Sequence, residues 1–129
     1  MNRLIHTAFY RLPAVALYVA IFWQSSYPGV IKESLFPYDD KVLHFLVYGV
    51  LAALTARWLF ADNPAWPLPK IRFIAITTAC LFGLSDEIHQ TFVPSRVGSF
   101  SDFAADCLGS VVGATAYVNY FLTRFKRRA

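Results

Sequence analysis

The most polar stretch of the sequence lies between two strongly apolar segments. The stretch contains the polar residues Asp86, Glu87, His89, Gln90 and Arg96, and Ser99, Asp102 and Asp106 follow it. Carboxylates beside a histidine can act as a general base and acid, or they can hold a divalent ion. An arginine can bind a phosphate or carboxylate through two parallel hydrogen bonds. The stretch therefore predicts a site for a charged ligand, in which Asp86, Glu87 and His44 are the candidate catalytic groups.

A second polar group precedes another apolar segment and contains Asp40, Lys41, His44 and Tyr48. Asp40, His44 and Tyr48 are spaced four residues apart, so on a helix they share one face. The same argument places Asp86, His89 and Gln90 on one face of a later helix, with Glu87 on the neighbouring face. It also places Asp102 and Asp106 together on one face of a third helix. We expect these helices to bring their polar faces to one common site.

Structural roles stay open for several of these residues. Asp40 can cap the start of a helix, and Arg96 with its neighbours can form a turn that holds acids together. His44 and His89 can be interior histidines that are satisfied by hydrogen bonds. A charged side chain inside a membrane span costs about 2.5 to 3.5 kcal/mol, so acids within apolar runs favour a functional role.

Composition indicates that the elements carrying these residues lie in a membrane. The 129 residues are 57% hydrophobic and 16% charged, whereas soluble domains have about 25% charged residues. The net charge of +4 does not indicate a nucleic-acid protein, because the basic residues fall at the ends of apolar runs. Cys80 and Cys107 match no metal or disulfide spacing. We predict no metal and no cofactor.

Four apolar segments follow one another at about residues 12–27, 42–60, 71–92 and 103–122. Most are close to the ~20 residues that cross a bilayer as a helix. The basic start resembles a signal peptide, but no small-x-small cleavage site follows, so the first segment is read as an uncleaved helix. Strand alternation is absent. The sequence predicts one domain over residues 1–129, an all-α integral membrane four-helix bundle.

The charges predict the orientation of this bundle. With four spans, nine of the 12 basic residues share one side, and the exceptions are Lys32, Lys41 and Arg96. The positive-inside rule then places both termini in the cytoplasm. Of the 8 acids, only Asp62 lies on that side, while Glu33 and the others lie toward the outer side. A polar site at the outer face explains this asymmetry.

The motifs that carry these residues resemble the VanZ-like family of small bacterial membrane proteins. They are Asp40-Lys41-x-x-His44-x-x-x-Tyr48, Asp86-Glu87-x-x-Gln90-x-Phe92-Val93-Pro94-x-Arg96, Ser99-x-x-Asp102 and Gly109-x-x-x-Gly113. The resemblance implies a multi-pass protein of the bacterial inner (plasma) membrane, linked to the cell envelope and similar to a teicoplanin-resistance accessory protein. The motif positions it implies are Lys41, His44, Asp86, Glu87, Gln90, Arg96 and Asp102. This chain has Asp106 where the family often has asparagine, which adds a negative charge.

Several functions fit these residues. The first is binding of a polar lipid or cell-wall glycolipid headgroup, with Arg96 and Lys41 on its anionic groups. The second is an enzyme acting on such a lipid by acid-base or metal-assisted chemistry, although no known hydrolase or metalloprotease motif is present. The third is a metal site from His44, His89, Asp86, Glu87 and Asp106. The fourth is a small proton-coupled transporter, which would need a homo-oligomer to enclose a path. The expected partner is membrane lipid.

Overall fold

The computed structural model describes residues 2–28 and 37–128, and every regular element in them is a helix. Lys32 and Glu33, which the charge count assigns to the outer side, lie outside the described residues. The helices are α1 (Arg3–Tyr10), α2 (Leu12–Ser25), α3 (Asp39–Asp62), α4 (Leu68–Gln90) and α5 (Phe100–Tyr117), then a π-helical segment (Val118–Leu122) and α6 (Thr123–Arg128).

Local chemistry explains where the long helices begin and end. The α3 helix starts at Asp39, earlier than the apolar run, because Asp39 and Asp40 lie in its first turn and favour the positive end of the helix dipole. The α4 helix has a proline in its first turn, which needs no backbone N–H donor there. The Ser99 hydroxyl accepts a long hydrogen bond from the Asp102 N–H at 3.4 Å and so caps α5.

Two helices, α3 and α4, are long and apolar enough to cross a membrane. The pair formed by α1 and α2, bent by 47°, supplies a third span if it is counted as one. Asp102 and Asp106 lower the apolar character of α5. The chain is therefore an all-helical protein with membrane-like helices, and the four spans with cytoplasmic termini stay a prediction.

Small residues allow α3 and α5 to pack with their backbones almost in contact. A Cβ atom on Gly109 would overlap the carbonyl oxygen of Phe45, and one on Gly113 would overlap that of Gly49. Gly49 on α3 is less tightly confined, since its Cβ would lie 3.1 Å from the Gly109 carbonyl oxygen. The G-x-x-x-G spacing of α5 thus serves close helix packing.

The rest of the interior continues this small-residue packing. Buried alanines on three helices surround a few larger side chains, and together they form the core: Tyr48, Leu51, Ala52, Ala56, Ile71, Ala75, Ala79, Ala114, Val118 and Leu122. Large apolar side chains such as Leu46, Val50 and Phe73 are more than half exposed instead. An apolar outer surface around a small-residue interior is typical of helices that contact lipid.

The two ends of the helices differ in charge. One end, called the acidic end, holds Asp40, Asp86, Asp102 and Asp106, where α2 and α4 finish and α3 and α5 start. The opposite end, called the basic end, holds Arg11, Arg57, Lys70, Arg72, Arg124 and Lys126. Its acid, Asp62, is paired with Arg11 at 3.1 Å. The fold therefore collects the predicted site residues at one end.

Candidate functional site

His44 and Asp106 form the contact at the centre of the acidic end. The Nδ1 atom of His44 lies 2.8 Å from Oδ1 of Asp106, whose side chain is completely buried. These residues lie on α3 and α5, close to the glycine contact that brings the two backbones together. The close approach is what lets two short side chains on different helices reach each other.

Asp86 links α4 to the end of α2. Its Oδ1 accepts a hydrogen bond from the Ser25 hydroxyl at 2.6 Å, and its Oδ2 accepts one from the Gln90 amide at 3.1 Å. All three side chains are buried. Both carboxylate oxygens are thus satisfied within the protein, so Asp86 has a well-defined position.

Glu87, the next residue, faces the start of α5. Its Oε2 accepts the backbone N–H of Ser99 at 2.7 Å. The loop can come this close because Gly98 has no Cβ, which would lie 2.5 Å from the Glu87 carbonyl oxygen. The other oxygen, Oε1, is buried and has no hydrogen-bond partner in the described part of the chain.

Lys41 connects the starts of α3 and α5. Its Nζ donates to Oδ2 of Asp40 and to Oδ1 of Asp102, both at 2.8 Å. Asp102 is mostly buried, whereas Asp40 is more than half exposed. The lysine charge is thus already paired with two acids, which leaves it less available to a ligand than the sequence implied.

Three buried polar atoms of the acidic end lack a partner among residues 2–28 and 37–128: the Tyr48 hydroxyl, Oε1 of Glu87 and Oδ2 of Asp106. Gly83 lies beside them on α4, since a Cβ there would be 2.9 Å from Oδ2 of Asp106 and 3.1 Å from the Tyr48 ring. Buried polar atoms are nearly always hydrogen-bonded, so such a group needs an explanation. One ligand atom from each of His44, Glu87 and Asp106 lies within 4.8 Å of the others.

Arg96 and His89 contact the end of α2 rather than an acid. The Nε of Arg96 donates to the carbonyl oxygen of Tyr27 at 2.8 Å, and one terminal nitrogen donates to that of Gln24 at 3.0 Å. No carboxylate in the described residues pairs with this guanidinium. His89 contacts the Ser26 hydroxyl at 3.1 Å and stacks on Phe22.

A cavity of about 190 Å³ opens between α2, α3 and α4 at the acidic end. One part of its wall is apolar and the other is polar, and its lining is Leu17, Ala20, Ile21, Gln24, Leu43, His44, Val47, Tyr48, Asp86, Gln90 and Arg96. A larger cavity, about 430 Å³, lies at the basic end between α1, α3 and the π-helical segment. It is lined mainly by aromatic side chains and contains no acid, so it lacks the chemistry of the acidic end.

The structure places the predicted site residues in different parts of the acidic end. His44, Tyr48, Asp86, Gln90 and Arg96 line the cavity. Glu87 and Asp106 lie near His44 but do not line it, and Asp40, Lys41, Ser99 and Asp102 form the contacts that join α3, α4 and α5. His89 faces α2, as Asp86 does, but it does not line the cavity.

Sequence reasoning missed the contribution of the first long helix. Gln24, Ser25 and Ser26 follow the apolar part of α2 and supply contacts to Arg96, Asp86 and His89. Three consecutive polar residues after a membrane-like run were the available signal. Gly83 was also missed, because one glycine within an apolar run does not reveal which neighbour it lies against.

A comparison with protein families gives one match to this sequence. The model of the VanZ/LLP1 family matches residues 9–123, which include α2 through α5 and the acidic end. Comparisons with curated proteins and with solved structures give no match. The match confirms the resemblance that the motifs indicate. Since it covers most of the sequence, the chain belongs to the VanZ/LLP1 family.

Proposed function

We propose that this protein binds the polar headgroup of an anionic envelope lipid or cell-wall glycolipid at the outer face of the plasma membrane. The observation that carries the proposal is the cavity of about 190 Å³ at the acidic end, which has an apolar wall and a polar wall. A ligand that fits such a cavity is itself amphiphilic. The proposed orientation rests on the basic residues, which collect at the opposite end and favour the cytoplasm.

The apolar wall comes from Leu17 and Ile21 on α2 and from Leu43 and Val47 on α3. Leu43 is about half exposed, so the wall continues onto the outer surface of the protein. Binding pockets for whole drug-sized ligands measure about 300–1,000 Å³. The cavity is therefore sized for part of a headgroup, and the lipid chains would lie along the outer apolar surface.

The polar wall offers both a cation and hydrogen-bonding groups. Arg96 uses Nε and one terminal nitrogen on backbone carbonyls, which orients the guanidinium and leaves donors for a phosphate or carboxylate. Gln90 and Asp86 lie on the same wall and are fixed by their mutual hydrogen bond. We assign Arg96 to the anionic group of the ligand, and Gln90 and His44 to its hydroxyl or amide groups.

The His44–Asp106 pair favours a second candidate, an enzyme that modifies the same lipid. His44 lines the cavity while Asp106 lies behind it, completely buried, at 2.8 Å. A carboxylate that holds a histidine in one orientation is the arrangement used for general base catalysis. Turnover of the bound lipid by the wild-type protein, abolished in His44→Gln, would select this candidate over binding alone.

The test is native mass spectrometry of the protein extracted gently from its own membrane. We expect a defined lipid adduct on the wild-type protein and at least a tenfold loss of that adduct in Arg96→Gln. Arg57→Gln is the matched control, because Arg57 also lines a cavity and donates to a backbone carbonyl, but at the basic end. That variant should keep the adduct.

Two outcomes would contradict the proposal. The first is a wild-type protein that carries no bound lipid. The second is an equal loss of the lipid adduct in Arg96→Gln and Arg57→Gln, which would show that lipid binding does not depend on the cavity at the acidic end.

A further inference from the structure

We propose that His44, Glu87 and Asp106 bind a divalent transition-metal ion between α3, α4 and α5. Each residue comes from a different helix, and each offers one ligand atom within 4.8 Å of the other two. Separations of this size allow three ligands to surround a single ion. The site lies behind the headgroup cavity, with His44 shared between the two.

Burial of the two acids is the first argument. The side chain of Asp106 is completely buried and Glu87 is 6% exposed. Two charged carboxylates this close together repel each other. Because both are buried, keeping them charged also costs free energy unless a cation is present. Lys41, in the first turn of α3, is already bound to Asp40 and Asp102.

Unpartnered oxygens are the second, independent argument. Oε1 of Glu87 and Oδ2 of Asp106 are both buried and accept no hydrogen bond in the part of the chain described. Their neighbour Asp86 differs, since both of its oxygens are satisfied by Ser25 and Gln90. Each acid thus has one oxygen with free lone pairs near the imidazole of His44. A metal ion can bind to oxygens of this kind.

The ligand set indicates which ions fit. Imidazole nitrogen suits Zn²⁺, Fe²⁺ and similar ions, whereas carboxylate oxygen also suits Mn²⁺. One histidine with two carboxylates therefore favours an ion that accepts nitrogen and oxygen ligands, such as Zn²⁺ or Mn²⁺, over the soft ion Cu⁺. Cys80 and Cys107 form no disulfide and do not belong to this group of ligand atoms. Three protein ligands leave coordination positions open for water or for a ligand group.

The experiment measures metal in the full-length protein purified in mild detergent, using inductively coupled plasma mass spectrometry. We expect stoichiometric Zn²⁺ or Mn²⁺ in the wild type, or uptake of one of these ions in equilibrium dialysis. Changes to groups that only support a metal ligand weaken binding about 10- to 100-fold. Loss of a ligand itself should cost more, so Glu87→Gln and Asp106→Asn should each bind the ion over 100-fold more weakly.

Asp62→Asn is the matched control, because Asp62 is also an acid at the end of a membrane helix but lies at the basic end. It should retain the metal. A second measurement needs no variant: the wild-type protein should unfold at a lower temperature after treatment with a chelator and recover when Zn²⁺ or Mn²⁺ is restored.

The proposal is overturned if the wild type contains no metal, takes up neither ion in dialysis and shows no change in unfolding temperature. It is also overturned if Glu87→Gln and Asp106→Asn fold and retain the ion as tightly as Asp62→Asn does. The inference does not rest on lipid binding, since metal content and lipid adducts are measured separately.

Discussion

Asp106 is the residue on which the acidic end is centred. It is completely buried on α5, it contacts His44 at 2.8 Å, and its second oxygen has no partner among the residues the structure describes. This chain thus places a carboxylate in the interior of the protein. A buried carboxylate needs a partner, and the imidazole of His44 is the group that contacts Asp106.

Tyr48 offers a test of the unpartnered atoms. Its hydroxyl is buried and lacks a hydrogen-bond partner in the described residues. An unsatisfied buried group costs about 1–3 kcal/mol. Tyr48→Phe should therefore leave the free energy of unfolding unchanged or raise it by about 1 kcal/mol, measured by denaturation in mild detergent.

The control for this prediction is Tyr18→Phe, which removes a hydroxyl that lies 3.1 Å from Oγ1 of Thr55. Loss of such a hydrogen bond should lower the free energy of unfolding by about 1 kcal/mol. If Tyr48→Phe instead destabilises the protein as much as Tyr18→Phe does, the Tyr48 hydroxyl has a partner and the reading of this end is wrong.

At the scale of elements, the contact between α3 and α5 positions the site. Gly109 and Gly113 on α5 face the carbonyl oxygens of Phe45 and Gly49 on α3. A side chain at either position would force the helices apart. Because His44 and Asp106 are close to this contact, a wider spacing would also separate their side chains.

Gly113→Ala tests this role. Its Cβ would overlap the Gly49 carbonyl oxygen, which is backbone and cannot turn away. Overpacking costs about 1–3 kcal/mol, occasionally more, and we expect a loss of stability in that range or beyond it. Val112→Ala, at the adjacent and exposed position of α5, should change stability far less. Equal stability of the two variants in thermal unfolding would contradict the packing account.

The sequence predicts the helical class, and it predicts which polar residues share a helix face, because both depend on local patterns. Apolar runs of spanning length show where α3 and α4 lie, and four-residue spacing predicts the shared face of His44 and Tyr48. The bend between α1 and α2 was not predicted, nor was the start of α3 at Asp39. Both depend on the ends of helices, where hydrophobicity carries little information.

Pairing between helices could not be predicted from the sequence. The spacing of Asp86, His89 and Gln90 predicts that they share one face, but it does not show that Asp86 binds Ser25 or that His89 stacks on Phe22. Likewise, no local pattern connects Glu87 with the backbone of Ser99. These contacts depend on the rotation of each helix about its axis, which is set by glycines and alanines at the interfaces.

At the scale of the whole molecule, charge and exposure together indicate a membrane orientation. Arg11, Arg57 and Lys70 lie at the basic end, and the acids of the site lie at the other. The loop after α4 and the first residue of α5 also expose large apolar side chains, with Phe92, Val97 and Phe100 each at least 80% exposed. We expect this loop to lie at the outer surface of the bilayer.

Cysteine labelling tests that orientation. With Cys80 and Cys107 replaced by serine, Val97→Cys lies at the acidic end and Ala65→Cys at the basic end. A membrane-impermeant maleimide applied to intact cells should label the cysteine at position 97, and should label the one at position 65 only after the membrane is opened. The reverse pattern would place the acidic end in the cytoplasm.

The central claim is that the cavity at the acidic end holds a lipid headgroup, and photocrosslinking tests it most directly. A photoreactive leucine analogue is placed at Leu43, which lines the cavity, or at Leu46, which is 57% exposed on the same helix and does not line it. We predict that Leu43 captures one lipid class in the native membrane and that Arg96→Gln abolishes the capture, whereas Leu46 captures the bulk lipids in both backgrounds. The same lipid mixture at both positions, with or without Arg96, would contradict the account.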